Sequence, residues 1–155
     1  MKKLLLMVLC LCLLLGFTGC GAPAAGVSAT CAELADSVEK AVAFTELTDV
    51  SQDYMEKYLW IEAADLEDWV MRRDVSRATP EMILIVKVKD GADKAAVKQL
   101  IQDYHDEQTL QYRDYQPGEM FKLEGAKVLE NGSCLALIVS PDAAKAVSAL
   151  GKGWK

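Results

Sequence analysis

The segment Met82-Ile83-Leu84-Ile85-Val86-Lys87-Val88 constrains the fold more tightly than any other part of the chain. It is short, almost continuously apolar and rich in β-branched side chains, the signature of a central strand. Asp90-Gly91 breaks it, and Asp93 stands where a short carboxylate caps a helix. Val97, Leu100, Ile101, Tyr104, Gln108 and Tyr112 then trace the spacing i, i+3, i+4, i+7, which predicts a long amphipathic helix ending near Arg113.

The flanking segments supply the partners of that strand. Thr30 followed by Glu33 fits a capping box, and Leu34, Val38 and Val42, with Cys31 and Ala35, form one face of a first helix. A turn near Thr45 to Val50 leads to a second helix capped by Ser51, with Tyr54, Met55 and Tyr58 inward. Leu66 to Val75 reads as a helical turn followed by a strand, with Trp69, Met71 and Val75 on one face and Glu67 out of pattern. Pro117 opens a short helix with Met120, Phe121 and Leu123 inward, and Gly125 stops it. Asn131-Gly132 is the turn of a second hairpin between Ala126–Glu130 and Ser133–Val139. Ser140 caps and Pro141 starts a last helix anchored by Val147 and Leu150. These elements predict an α+β domain over residues 30–151, a single four-stranded, mainly antiparallel sheet built from two hairpins and covered by helices. A tail, 152–155, follows, frayed unless Trp154 folds back.

The N-terminus bears on location. Lys2 and Lys3 precede an apolar run from Leu4 to Leu15, then Phe17-Thr18-Gly19-Cys20, the layout of a secretory signal peptide. Its end resembles the lipobox of bacterial lipoproteins, in which the chain is cut before the cysteine and that thiol carries diacylglycerol. Residues 1–19 are thus expected to be a lipoprotein signal peptide, Cys20 the lipid site and 20–29 a flexible tether of small residues. The expected location is the extracytoplasmic face of a cell membrane. Acidic side chains outnumber basic ones 23 to 17, and the excess widens once both signal lysines leave. Such a surface repels phosphate backbones and anionic headgroups, which argues against nucleic acid and against lipid binding through a basic patch. Cys31 and Cys134 remain in the mature chain; an exported pair can form a disulfide, and separated cysteines also serve as small buried apolar residues.

Asp65-Leu66-Glu67-Asp68-Trp69-Val70, the acidic residue before the strand in Glu81-Met82-Ile83-Leu84-Ile85, the long amphipathic helix, Tyr115-Gln116-Pro117, Asn131-Gly132 and Ser140-Pro141-Asp142 resemble a known family. It is the domain of unknown function 4358, found in small lipoproteins of Gram-positive anaerobes, and the likeness spans roughly residues 31–150. The resemblance implies a membrane-tethered extracytoplasmic domain without an assigned activity and supplies no catalytic residues.

No catalytic constellation stands out. His105, the one histidine, reads as an exposed helical residue, and no nucleophile elbow surrounds Ser133, Ser140 or Ser148. Asp65, Glu67 and Asp68 lack the ligand spacing and loop glycine of a calcium site, and two cysteines with one histidine make no zinc site, so neither metal nor cofactor is expected. Tyr54, Tyr58, Trp60 and Trp69 fall in one span; Tyr104, Tyr112 and Tyr115 fall at what reads as the other end of the domain. Such rings suit contacts to sugars or peptides, or a half-buried seam between helix and sheet. Arg72-Arg73 beside them suit an anionic ligand or the abundant carboxylates. The expectation is a binding or interaction module acting on an envelope protein or small ligand, with Trp60, Trp69, Arg72 and Tyr115 as candidate contacts. Two alternatives are a cell-envelope hydrolase using carboxylates such as Asp68 and Glu81, and a structural accessory subunit of a membrane complex.

Overall fold

The computed structural model of the chain describes residues 27–155. The expected signal peptide, the expected lipid site Cys20 and residues 21–26 of the expected tether lie outside that range. The chain order is α1 (Cys31–Ala41), β1 (Thr48–Asp49), α2 (Gln52–Leu59), β2 (Leu66–Arg73), β3 (Met82–Val88), α3 (Lys94–Tyr115), α4 (Met120–Glu124), β4 (Val128–Asn131), β5 (Cys134–Val139) and α5 (Ala143–Ala149). Short 3₁₀ turns at Ala63–Asp65 and Pro117–Glu119 lead into β2 and α4.

The class is α+β, and β3 is the middle strand of one antiparallel sheet ordered β1-β2-β3-β5-β4. The sheet has five strands rather than four. The additional edge strand, β1, pairs Thr48 with Arg73 and Asp49 with Arg72, and both its residues are exposed. Two exposed polar residues carry no alternation, so the segment reads as a turn. Helices also cover both faces of the sheet, not one. Leu84, Val86, Leu135 and Leu137 point to the face under α2, α3 and α4. Ile83, Ile85, Ala136 and Ile138 point to the face under α1 and α5. With both faces buried, every position of β3 but Lys87 is removed from water, which is why its sequence is continuous rather than alternating.

A β-bulge accounts for the odd position of Glu67. Leu66 pairs with Val88 and Asp68 with Lys87, so Glu67 is an extra residue in β2. The bulge places Leu66 and Trp69, three residues apart, on the same face. Val75, expected on that face too, lies beyond the strand and is exposed. Tyr58 and Phe121, expected inward, are exposed as well; Met55, Leu59 and Leu123 fill those positions.

The caps at Thr30, Ser51 and Asp93 form as their sequence predicts. At the last helix the cap moves: Asp142 accepts from the Lys145 N–H at 3.1 Å, while Ser140 is buried at the end of β5. The second hairpin is also displaced by one residue. Asn131 pairs with Cys134, leaving Gly132-Ser133 as the turn, with Gly132 at φ 60°. Trp154 does fold back, donating to the Leu150 carbonyl at 3.1 Å, and Lys155 exchanges backbone hydrogen bonds with Glu130 on the outer edge of β4. That contact favours glycine at 153, where φ is 96°. At the other terminus, Val27 and Ala29 of the expected tether pack on the cluster under α1 and α5.

Candidate functional site

The loop joining β2 to β3 is prefolded by one carboxylate. Asp74 Oδ1 accepts from the Ser76 N–H at 2.7 Å and hydroxyl at 2.5 Å, and Oδ2 from the Thr79 N–H at 2.9 Å and hydroxyl at 3.3 Å. Burial pushes this carboxyl up, but the donors from Ser76 and Thr79 outweigh it and hold it below its ordinary range. From α3, the Tyr112 hydroxyl donates to the Thr79 carbonyl at 2.6 Å and so clasps the loop to the helix. Arg77 sits at the tip with φ 61°, a left-handed conformation that costs a side-chain-bearing residue about 1–2 kcal/mol.

This loop, α2 and α3 enclose a cleft with two recesses. The larger, about 390 Å³, is lined by Arg73, Ser76, Arg77, Gln111, Tyr112 and Tyr115. The smaller, about 110 Å³, shares Arg73, Arg77 and Gln111 and adds Tyr54, Tyr58 and Tyr104, with Glu107 and Gln108. All five tyrosines of the chain therefore meet here, although the sequence places them at two ends of the domain. Tyr54 and Tyr58 have ring centroids 4.5 Å apart, and the Tyr54 and Tyr104 hydroxyls share a hydrogen bond at 3.3 Å. Burial raises the Tyr104 and Tyr112 phenols, although Arg73 and Arg77 act to lower them. Both rings stay neutral at physiological pH, so the charge of the cleft comes from its arginines and from Glu107 at its exposed rim.

The adjacent arginines have opposite fates because successive strand residues face opposite sides of the sheet. Arg72 points toward α1, where it meets Asp36 and Glu39 at 2.8 Å and Asp49 at 2.9 Å. Arg73 points toward α2 and is only 9% exposed. Its one side-chain hydrogen bond among the described residues goes to the Tyr54 hydroxyl, and no carboxylate pairs with it. A guanidinium carries five N–H donors, so four are left without a partner among the described residues. Among the described residues Arg77 has no carboxylate partner either, whereas Arg113 pairs with Asp114 as Arg72 does with its three.

Of the residues singled out from sequence, Tyr115 lines the cleft and is exposed. Arg72 lies on the far face, saturated by carboxylates, and the arginine that lines the cleft is its neighbour Arg73. Trp69 is half-buried against the core, and Trp60 is an exposed left-handed cap of α2; neither lines the cleft. Asp68 and Glu81 do not meet. Asp68 accepts from the Cys31 N–H at 2.7 Å at one end of the sheet. Glu81 is buried at the other end, bound to Lys122 at 2.7 Å and to the Thr45 N–H at 2.6 Å. Strand register puts them about 20 Å apart, at ~3.3 Å per residue. His105 is not exposed; its Nε2 donates to the Leu123 carbonyl at 3.1 Å. Cys31 and Cys134 are buried free thiols, both pushed up by burial, and the charge of Asp68 raises Cys31 further. Among the described residues no cluster of histidine, cysteine and carboxylates is arranged to hold a metal ion. Nor is any of their helices long and apolar enough to cross a membrane.

Fold and site together define a class: a small α+β domain, its antiparallel sheet covered on both faces, with an aromatic, cationic cleft at one end of the sheet. Residues 40–140 match the family described as Domain of unknown function (DUF4358), and the chain belongs to that family. The matched segment holds all five strands and every residue of the cleft, and leaves out most of α1 and all of α5. No curated protein and no solved structure matches the chain.

Proposed function

We propose that this protein is a membrane-anchored extracytoplasmic binding module that captures an anionic ligand in the cleft of Arg73 and Arg77. The observation that carries this reading is Arg73: a residue only 9% exposed, in an acidic chain, whose guanidinium has no carboxylate partner among the described residues. Desolvating a charge is costly unless something pairs with it, and a ligand carboxylate or phosphate would complete the arrangement with charge-assisted hydrogen bonds. The strained backbone of Arg77 supports it, because such conformations cluster at ligand clamps. Position supports it too. The chain enters the domain at Cys31, beside Asp68, and the cleft lies beyond Arg73 at the opposite end of β2. The expected tether from a lipid on Cys20 would thus join the domain at the end opposite the cleft. The carboxylate hydrolase gains no such support, since Asp68 and Glu81 face no common substrate.

The test is a thermal melt with inorganic phosphate against chloride at equal ionic strength. Wild type is expected to gain stability with phosphate through binding to the native state alone. Arg73→Lys and Arg77→Gly should lose the gain. Glycine relieves the positive φ, so Arg77→Gly should keep its ligand-free stability within about 1 kcal/mol. Equal phosphate response in wild type and both variants would overturn the reading.

A further inference from the structure

Tyrosine rings and free amides flank the paired arginines, and together they narrow the chemistry of the ligand. Along α3, Gln99 and Gln102 are each engaged by a carboxylate one turn on, Asp103 at 2.8 Å and Asp106 at 2.9 Å. Gln108 and Gln111, on the same helix and lining the cleft, make no side-chain hydrogen bond among the described residues. An amide both donates and accepts, which matches a hydroxyl group that does the same. Tyr112, buried and with its hydroxyl committed to the Thr79 carbonyl, forms part of the wall of the larger recess, and the exposed Tyr115 beside it offers its ring. A ring face packs against a flat, C–H-bearing surface and cannot satisfy an unpaired polar group. The ligand that uses all three features carries a negative charge for Arg73 and Arg77, several hydroxyls for Gln108 and Gln111, and a saturated ring with a C–H face for Tyr115.

We infer that the cleft recognises an acidic saccharide, a uronate or sugar phosphate unit, with its acid group between Arg73 and Arg77 and its ring against Tyr115. The inference rests on the anion-binding reading and deepens it. A larger recess of about 390 Å³ lies within the usual range for small-molecule sites, and its open mouth leaves room for either a free sugar or the end of an acidic polymer.

Isothermal titration of the domain with galacturonate, trigalacturonate, glucose 6-phosphate, neutral galactose and benzoate tests it, beside Arg77→Gly, Gln111→Ala and Tyr115→Ala. Acidic sugars are expected to bind at least about tenfold tighter than galactose, the scale of one charge-assisted hydrogen bond, with Arg77→Gly abolishing that preference. Gln111→Ala and Tyr115→Ala should weaken the acidic sugars while leaving the response to inorganic phosphate unchanged, a split that a merely structural role would not produce. Trigalacturonate binding tighter than the monomer would assign the source to a polymer, and equal binding to a free sugar. Benzoate binding as tightly as galacturonate would overturn the saccharide assignment and leave the anion site standing. Loss of response to every anion, inorganic phosphate included, would overturn both.

Discussion

Asp74 shows how much of the cleft hangs on a single side chain. Its two oxygens hold the backbone of Ser76 and Thr79, and the loop so shaped carries Arg77. In Asp74→Asn an amide must present donors to donors, which is expected to cost about 1–3 kcal/mol at pH 7. The native carboxyl lies below its ordinary value, so its contribution is complete above the unfolded value of about 3.9 and fades as pH falls through the folded value. Asparagine does not titrate. Urea denaturation at pH 7 and near pH 3 should therefore show the gap between wild type and variant narrowing at low pH; a constant gap would refute the assignment. Arg72 and Arg73 make the complementary point about legibility. A chain reading sees two equivalent cations, and only the bulge at Glu67 and the register with β3 decide that Arg73 enters the cleft.

Elements are held together at the cleft end of the sheet by one buried network. Glu81, preceding β3, accepts from Lys122 of α4 through Oε1 and from the Thr45 N–H and hydroxyl through Oε2, joining three distant segments. Lys122 also lies 2.6 Å from Glu119. Burial lowers the lysine, but Glu119 and Glu81 outweigh it and hold the ammonium above its ordinary value. Lys122→Met leaves Glu81 charged and buried without its cation, a loss of about 3–5 kcal/mol. Adding Glu81→Gln should return part of that loss, and a double-mutant cycle by urea denaturation measures how much. Additive losses would show that the pair is not coupled. Most element boundaries were legible, because caps and periods act over a few residues: the capping box at Thr30, the cap at Asp93 and the strand at Met82 stand where the pattern puts them. The misplacements, from Ser140 to Asp142 and from Asn131-Gly132 to Gly132-Ser133, arose where neighbouring residues share the same local chemistry and strand pairing made the choice.

For the whole molecule, the start of α1 at Cys31 and the cleft lie at opposite ends of β2. Intact mass of membrane-extracted protein is expected to show a chain starting at Cys20 with a diacylglycerol increment, abolished by Cys20→Ala. An unmodified mass would detach the binding reading from the membrane without touching the cleft itself.

By itself, the sequence determined the fold class, the central strand, the long helix, the acidic balance and the family, because each depends on local periodicity, composition or a short motif. Tertiary structure alone decided that both faces of the sheet are covered and that a two-residue strand extends its edge. It also decided that Tyr54 and Tyr58 meet Tyr104, Tyr112 and Tyr115 around Arg73. Those tyrosines stand some fifty residues apart, as the hydrogen bond from Tyr54 to Tyr104 measures. A contact of that span is set by strand order and helix placement, and no local pattern encodes it.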